Sequence, residues 1–226
     1  MSTRVSQSGS SDGLVAPARA RGRPIDKSKR DAIVEAASRA FFTIGYAGSS
    51  IEQIAADAGV SKVTVYNHFG DKRALFAASV ELECEKMRGY FQIGTITHGQ
   101  TVRERLTTIG HAMCAFLSRP EMVQFERRIA AETEHEPTLG RAFLEAGPWR
   151  MKAAFSAFLA NCAERGELTI EDSGLAAEQF VSMCKGMGDL ERRFGEPADP
   201  EMRDERIESA VEVFLRAYAT KSDLNA

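Results

Sequence analysis

SIEQIAADAGVSKVTVYNHF, residues 50–69, decides the fold of this 226-residue chain. Ser50 followed three residues later by Gln53 has the spacing of a helix capping box. A short helix from Ile51 then runs to Ala58, and Gly59 supplies the positive φ that a tight turn demands. Ser61 caps a second short helix, about 62–67. Two helices that cross closely need a small residue at the contact, and Ala55 lies there. Val60 and Val65 fill the gap between them, while Ile51 and Ile54 face the preceding helix. Two short helices around a glycine turn form a helix-turn-helix, whose second helix enters the major groove of DNA.

The outward residues of that second helix suit the task. Lys62 can donate to guanine O6 or N7, and Asn67 can both donate and accept at an adenine edge. Val63 or the methyl of Thr64 can meet a thymine methyl. Thr64, Tyr66 and His68 offer donors to phosphate, and Lys72 follows just after.

Working outward, Ile33, Ala36, Ala37, Ala40, Phe41 and Ile44 recur at helical steps and mark a first helix over 27–44. Asp71 caps a fourth helix reaching about Gly94. Further helices are expected at about 101–117, 121–134, 138–165, 173–194 and 201–220, between breaks at glycine and proline. No strand alternation occurs, so the expected fold is all-α with about nine helices. The expected organisation is an arm over 1–24, a DNA-binding unit over 25–86 and a larger helical unit over 87–226. The arm is rich in Ser, Gly, Ala and Arg. Its Arg21 and Arg23 can reach phosphates or a narrow minor groove, or can simply be solvated.

Charge follows the same division. The chain carries -3 overall, but residues 1–75 hold eleven Lys and Arg against seven Asp and Glu. A basic reading end on an acidic body fits that asymmetry. Apolar residues make up 43% of the chain, enough for a real core. No apolar run approaches the ~18 residues needed to span a bilayer. The polar N-terminus has no signal-peptide pattern, so a cytoplasmic location and no membrane partner are expected.

The C-terminal unit has more apolar side chains than one helical layer needs. Met87, Tyr90, Phe91, His111, Met113, Phe116, Phe125, Trp149, Met183 and Met187 are candidates for a ligand cavity, each with ordinary core packing as the alternative. The last two helices carry Ala177, Phe180, Val181, Cys184 and Met187, then Ile207, Val211, Phe214, Leu215 and Tyr218. Such a pair at a chain end can build a four-helix bundle with a second copy. A dimer would let two reading helices span a palindrome.

Four cysteines, Cys84, Cys114, Cys162 and Cys184, lie in helical patterns without a CxxC pair. They read as small buried hydrophobes. The alternative is a redox or electrophile sensor, for which Cys184 beside Lys185 is the better candidate and Cys84 among three glutamates the worse. Glu132 and His135 form one Glu-x-x-His step, where carboxylate-bridged metal bundles need two. His111 and Cys114 share a helix face, but two ligands do not make a site. No phosphate loop or nucleophile motif occurs. No enzyme activity, metal or cofactor is expected. A helical interaction module without DNA binding is disfavoured by the basic N-terminal third.

IAADAGVSKVTVYNHFGDKRALF, with AFFTIGY before it and RGRP further upstream, resembles the signature of the TetR family of bacterial regulators over residues 21–80. The carriers are Ile54, Ala55, Ala58, Gly59, Val60, Ser61, Tyr66, Phe69, Lys72 and Leu75. Val63 departs from the small residue, Pro or Gly that the family often has there. The resemblance implies a recognition helix over Ser61–His68, phosphate contacts by Thr64, Tyr66 and Lys72, and base reading at Lys62, Val63 and Asn67. Residues 125–195, with Phe-x-x-x-Gly-Pro and Arg-Gly-Glu-Leu among their steps, resemble the C-terminal domain of AefR-like members. That resemblance implies a repressor more than an activator and names no effector, and the family resemblance implies a dimer through the last two helices. A ligand between the fourth and seventh helices would then swing the fourth and change the spacing of the two reading helices.

Overall fold

The structure is a computed structural model that describes residues 27–91, 99–197 and 199–220, with side chains of 88–91 excluded. Within these residues lie ten helices: α1 (Lys27–Ile44), α2 (Ile51–Asp57), α3 (Lys62–Phe69), α4 (Lys72–Phe91), α5 (Val102–Leu117), α6 (Pro120–Thr133), α7 (Pro137–Ala146), α8 (Pro148–Glu164), α9 (Ser173–Arg193) and α10 (Pro200–Tyr218). The fold is all-α, as the periodicity requires. Proline opens α6, α7, α8 and α10, where its missing N–H costs nothing.

One expected helix, 138–165, is two. Pro148 cannot donate back into a helix, and Gly147 turns the chain with φ -120 and ψ -89. The glycine also allows close packing: a Cβ there would lie 3.0 Å from Val80 and 3.2 Å from Sγ of Cys84. The break therefore brings the α7–α8 corner down onto α4.

Two apolar clusters hold the molecule together. One joins Ile33, Phe41, Ile54, Val65 and Phe76 of α1–α4 to Phe125, Ile129 and Leu139 of α6 and α7. The other joins α5, α8, α9 and α10 around Leu106, Phe155, Leu159, Phe180, Ile207 and Phe214. The N-terminal helices thus share a continuous core with α6 and α7. Phe42 of α1 stacks on Phe125 of α6, ring centroids 3.9 Å apart. Arg128 donates to the carbonyl of Phe42 at 3.3 Å, and Glu132 accepts from the Ala47 N–H at 3.1 Å. One face of α6 (residues 125, 128, 132) therefore grips the C-terminal end of α1.

Candidate nucleic-acid interface and ligand cavity

The α2–α3 pair forms from its caps inward. Ser50 Oγ accepts from the Gln53 N–H, and Ser61 Oγ from the Thr64 N–H, both at 3.1 Å. The capping box expected at Ser50 is half-formed, because the Gln53 side chain bonds Asp57 instead, at 2.8 Å. Gly59 makes the turn at φ 67. Asp71 caps α4 through the Ala74 N–H at 2.7 Å.

Val65 is the only residue that α3 buries. Lys62, Val63, Tyr66 and Asn67 point outward, with Val63 66% and Tyr66 42% exposed. Ser50 and Ser61 also lie at the surface as caps. His68 corrects the expectation of an exposed donor: it is half-buried, its Nδ1 enclosed without a partner. Thr64 is half-buried, and its hydroxyl is held by Ser61 at 2.8 Å. Lys72 is half-buried too, with Nζ 4.5 Å from the centre of the Tyr46 ring. Burial pushes the Lys72 ammonium below its ordinary pKa. Lys62 bonds Glu52 of α2 and lies over the Tyr66 ring at 5.7 Å. Arg21 and Arg23 lie outside the described residues.

Beneath this unit is a cavity of about 320 Å³. Small-molecule sites span roughly 300–1,000 Å³. Of the ten candidates, Met87, Met113, Phe116 and Phe125 line it. Four others do not. Trp149 and Met187 are exposed, Met183 packs against the α5–α9–α10 core, and His111 turns to Asp204 with Nδ1 3.5 Å from Oδ1. The remaining two, Tyr90 and Phe91, have side chains outside the described residues. The wall also contains Phe42, Met122, Phe143, Met151 and Phe155, which sequence reasoning missed. Met122 with Phe125, and Met151 with Phe155, stand at helical steps that could have marked them.

The polar part of the wall is sparse and paired. Glu83 accepts from Ser38 Oγ at 2.8 Å and Lys86 Nζ at 2.9 Å. Glu126 meets Arg193 at 3.2 Å, Lys152 meets Glu178 at 2.6 Å, and Lys185 meets Asp189 at 3.1 Å. Burial raises the Glu126 carboxyl above its ordinary pKa, with Arg193 pulling the other way.

Most of the residues expected to meet a partner copy need correction, while Val181 and Tyr218 keep part of their surface. Ala177, Phe180, Cys184, Ile207, Val211 and Phe214 are buried within the single chain. Phe180 meets Phe214 edge-on at 5.3 Å, and Val181 and Tyr218 pack against the same cluster. A side chain already withdrawn from water has no further surface to bury against a partner. Of the residues expected there, Met187 does lie outside, and α9 and α10 also expose Leu175, Leu190, Met202 and Val213, with Phe194 just past α9 and 83% exposed. The α9 helix is also kinked at Gly186, φ 48 and ψ -156, where the side chain of Arg206 fills the space a Cβ would need.

Cys184 does not have the setting of a reactive thiol. It is 1% exposed, and burial pushes its thiol up to about 12. Cys114 and Cys162 are buried and raised by the same cause. Among the described residues, no group of three or more His, Cys, Asp or Glu is placed to hold a metal, and no helix is long and apolar enough to cross a membrane.

Comparison with known proteins agrees with this geometry. Residues 33–79 match the family described as bacterial regulatory proteins, tetR family. Residues 104–220 match the AefR-like transcriptional repressor, C-terminal domain. A TetR-family transcriptional regulator from Mesorhizobium loti MAFF303099 is 30% identical, with 86% of this chain and 98% of that chain aligned and a TM-score of 0.73. The flavonoid-responsive regulator FrrA is 30% identical, with 87% and 100% aligned and a TM-score of 0.69. The HTH-type transcriptional regulator YezE of Bacillus subtilis (strain 168) is 26% identical over 148 residues, 64% of this chain and 75% of that one. With an outward α3, an all-helical body and both matches in register, the chain is a transcriptional regulator of the TetR family with an AefR-like C-terminal domain.

Proposed function

We propose that the protein is a repressor that binds a palindromic operator as a homodimer in the cytoplasm and leaves it when a small, largely apolar effector enters the cavity. The observation that carries this reading is the composition of the cavity wall. It includes Val80, Cys84 and Met87 of α4, which begins three residues after α3 ends, and Phe42 of α1, which packs with α2. A molecule that fits this space better in one arrangement of α1 and α4 shifts the protein toward that arrangement. Two reading helices must keep a fixed half-site spacing, so such a shift costs operator affinity.

The partner copy would dock on the apolar residues left outside α9 and α10, chiefly Met187, Leu190, Phe194, Met202 and Val213. Positions 187, 190 and 194 fall on one helical stripe. In this reading residues 25–86 read DNA and residues 87–226 hold the partner and most of the effector site, with Phe42, Val80 and Cys84 completing the cavity wall from the DNA-binding unit. The flavonoid response named for FrrA makes a flat aromatic the first probe. Phenylalanine and methionine walls suit such a ligand.

The test is a flavonoid, naringenin, titrated into the protein with a duplex selected from a random pool. Thermal stabilisation by naringenin and release of the duplex are expected. Met151→Trp fills the cavity and should abolish both while leaving duplex binding intact. Release that survives Met151→Trp would contradict the cavity assignment.

A further inference from the structure

We propose that Glu52 is a specificity-determining residue, which neutralises Lys62 away from the operator and yields it only where base edges replace their mutual contact. This rests on the DNA-binding reading of α3. Glu52 stands in the first turn of α2, and Lys62 in the first turn of α3. Their side chains bridge the outer face of the two helices, with Lys62 laid against the Tyr66 ring. Both are open to water, Glu52 at 61% and Lys62 at 48%. The pair draws the carboxyl of Glu52 down and the ammonium of Lys62 up.

An exposed pair of this kind contributes little to folding. Its consequence lies in what approaches it. Nonspecific DNA binding is almost wholly attraction between cations and phosphates. A carboxylate fixed on a reading-helix cation removes one such attraction and adds repulsion within the ~10 Å screening length at 0.1 M salt. Random duplex therefore gains nothing from Lys62. A step that presents a guanine edge beside a cytosine edge is different. Guanine O6 and N7 accept from Lys62, and cytosine N4 donates to Glu52. Only there are both charges satisfied after they separate. The pair thus lowers affinity everywhere except at a matching site.

Glu52→Gln keeps the shape and removes the charge. Binding is measured by fluorescence anisotropy between 50 and 200 mM salt, against the selected duplex and a mixed-sequence 30-base-pair duplex. Glu52→Gln should tighten mixed-sequence binding roughly five-fold and steepen its salt slope by about one counterion. The ratio of selected to mixed affinity should fall about ten-fold. In a Lys62→Gln background the same change should move the ratio less than two-fold, because the partner is gone. A ratio within two-fold of wild type in the single variant, or an equal shift in both backgrounds, overturns the proposal. Wild type that binds neither duplex would instead overturn the DNA-binding reading. Unchanged helicity in Glu52→Gln excludes a folding artefact.

Discussion

The reading helix and the α9–α10 pair are both read from apolar spacing, and they fare differently. In α3, eight residues long, Val65 goes inward, Thr64, His68 and Phe69 are half-buried, and Lys62, Val63, Tyr66 and Asn67 are left outside. Its outward face follows by elimination. In α9 and α10 apolar residues lie on more than one side, and spacing alone does not say which side meets the protomer. Phe180, Cys184, Ile207 and Phe214 go into the chain's own core, and Met187, Leu190 and Phe194 remain outside. The lesson is that helical periodicity identifies apolar faces, while the identity of the partner is decided by the packing of distant helices.

Two substitutions put the comparison under stress. Phe180→Ala should cost about 3–5 kcal/mol of folding stability, the range for a fully buried phenylalanine. Phe194→Ser should leave the fold intact and weaken self-association by about 2 kcal/mol, as expected of an apolar anchor. Thermal unfolding and sedimentation at graded concentration separate the effects. If Phe180→Ala dissociated a fully stable chain, or if Phe194→Ser melted it, the inside and outside faces would have to be exchanged.

A smaller effect sharpens the cavity side. Burial raises the Glu126 carboxyl, so the folded chain favours its protonated form. That stabilising contribution is complete below the ordinary carboxylate value and is lost as pH rises through the raised one. Glu126→Gln keeps a neutral group at every pH. Its melting temperature relative to wild type should therefore rise from pH 4 to pH 7. A difference that stays constant with pH would show that Arg193 offsets the burial fully.

The legible part of the molecule is what local chemistry decides. Ser50, Ser61 and Asp71 cap their helices because their side chains reach N–H groups a few residues ahead. Gly59 turns because the motif needs positive φ. His68 departs from the exposed position its spacing predicts, because a single ring at the end of a short helix can turn inward without breaking any spacing rule. Gly147-Pro148 lay within an apparent single helix, and its packing against Val80 and Cys84 joins residues more than sixty apart. The cavity was half legible for the same reason. Met113 and Phe116 stand on one helix, but Phe42 enters the wall from α1, beside Phe41, which is fully buried in the core that Phe42 also touches. No pattern within α1 assigns two adjacent phenylalanines to a core and to a cavity.

The most direct test of the central claim compares wild type with Asn67→Ala on the selected duplex and on every single-base variant of it. Asn67 is exposed on α3 and can bond an adenine edge bidentately. The account predicts that Asn67→Ala loses discrimination at two positions related by the symmetry of the site, one in each half, about 1–3 kcal/mol at each. A discrimination profile identical to that of wild type would contradict it.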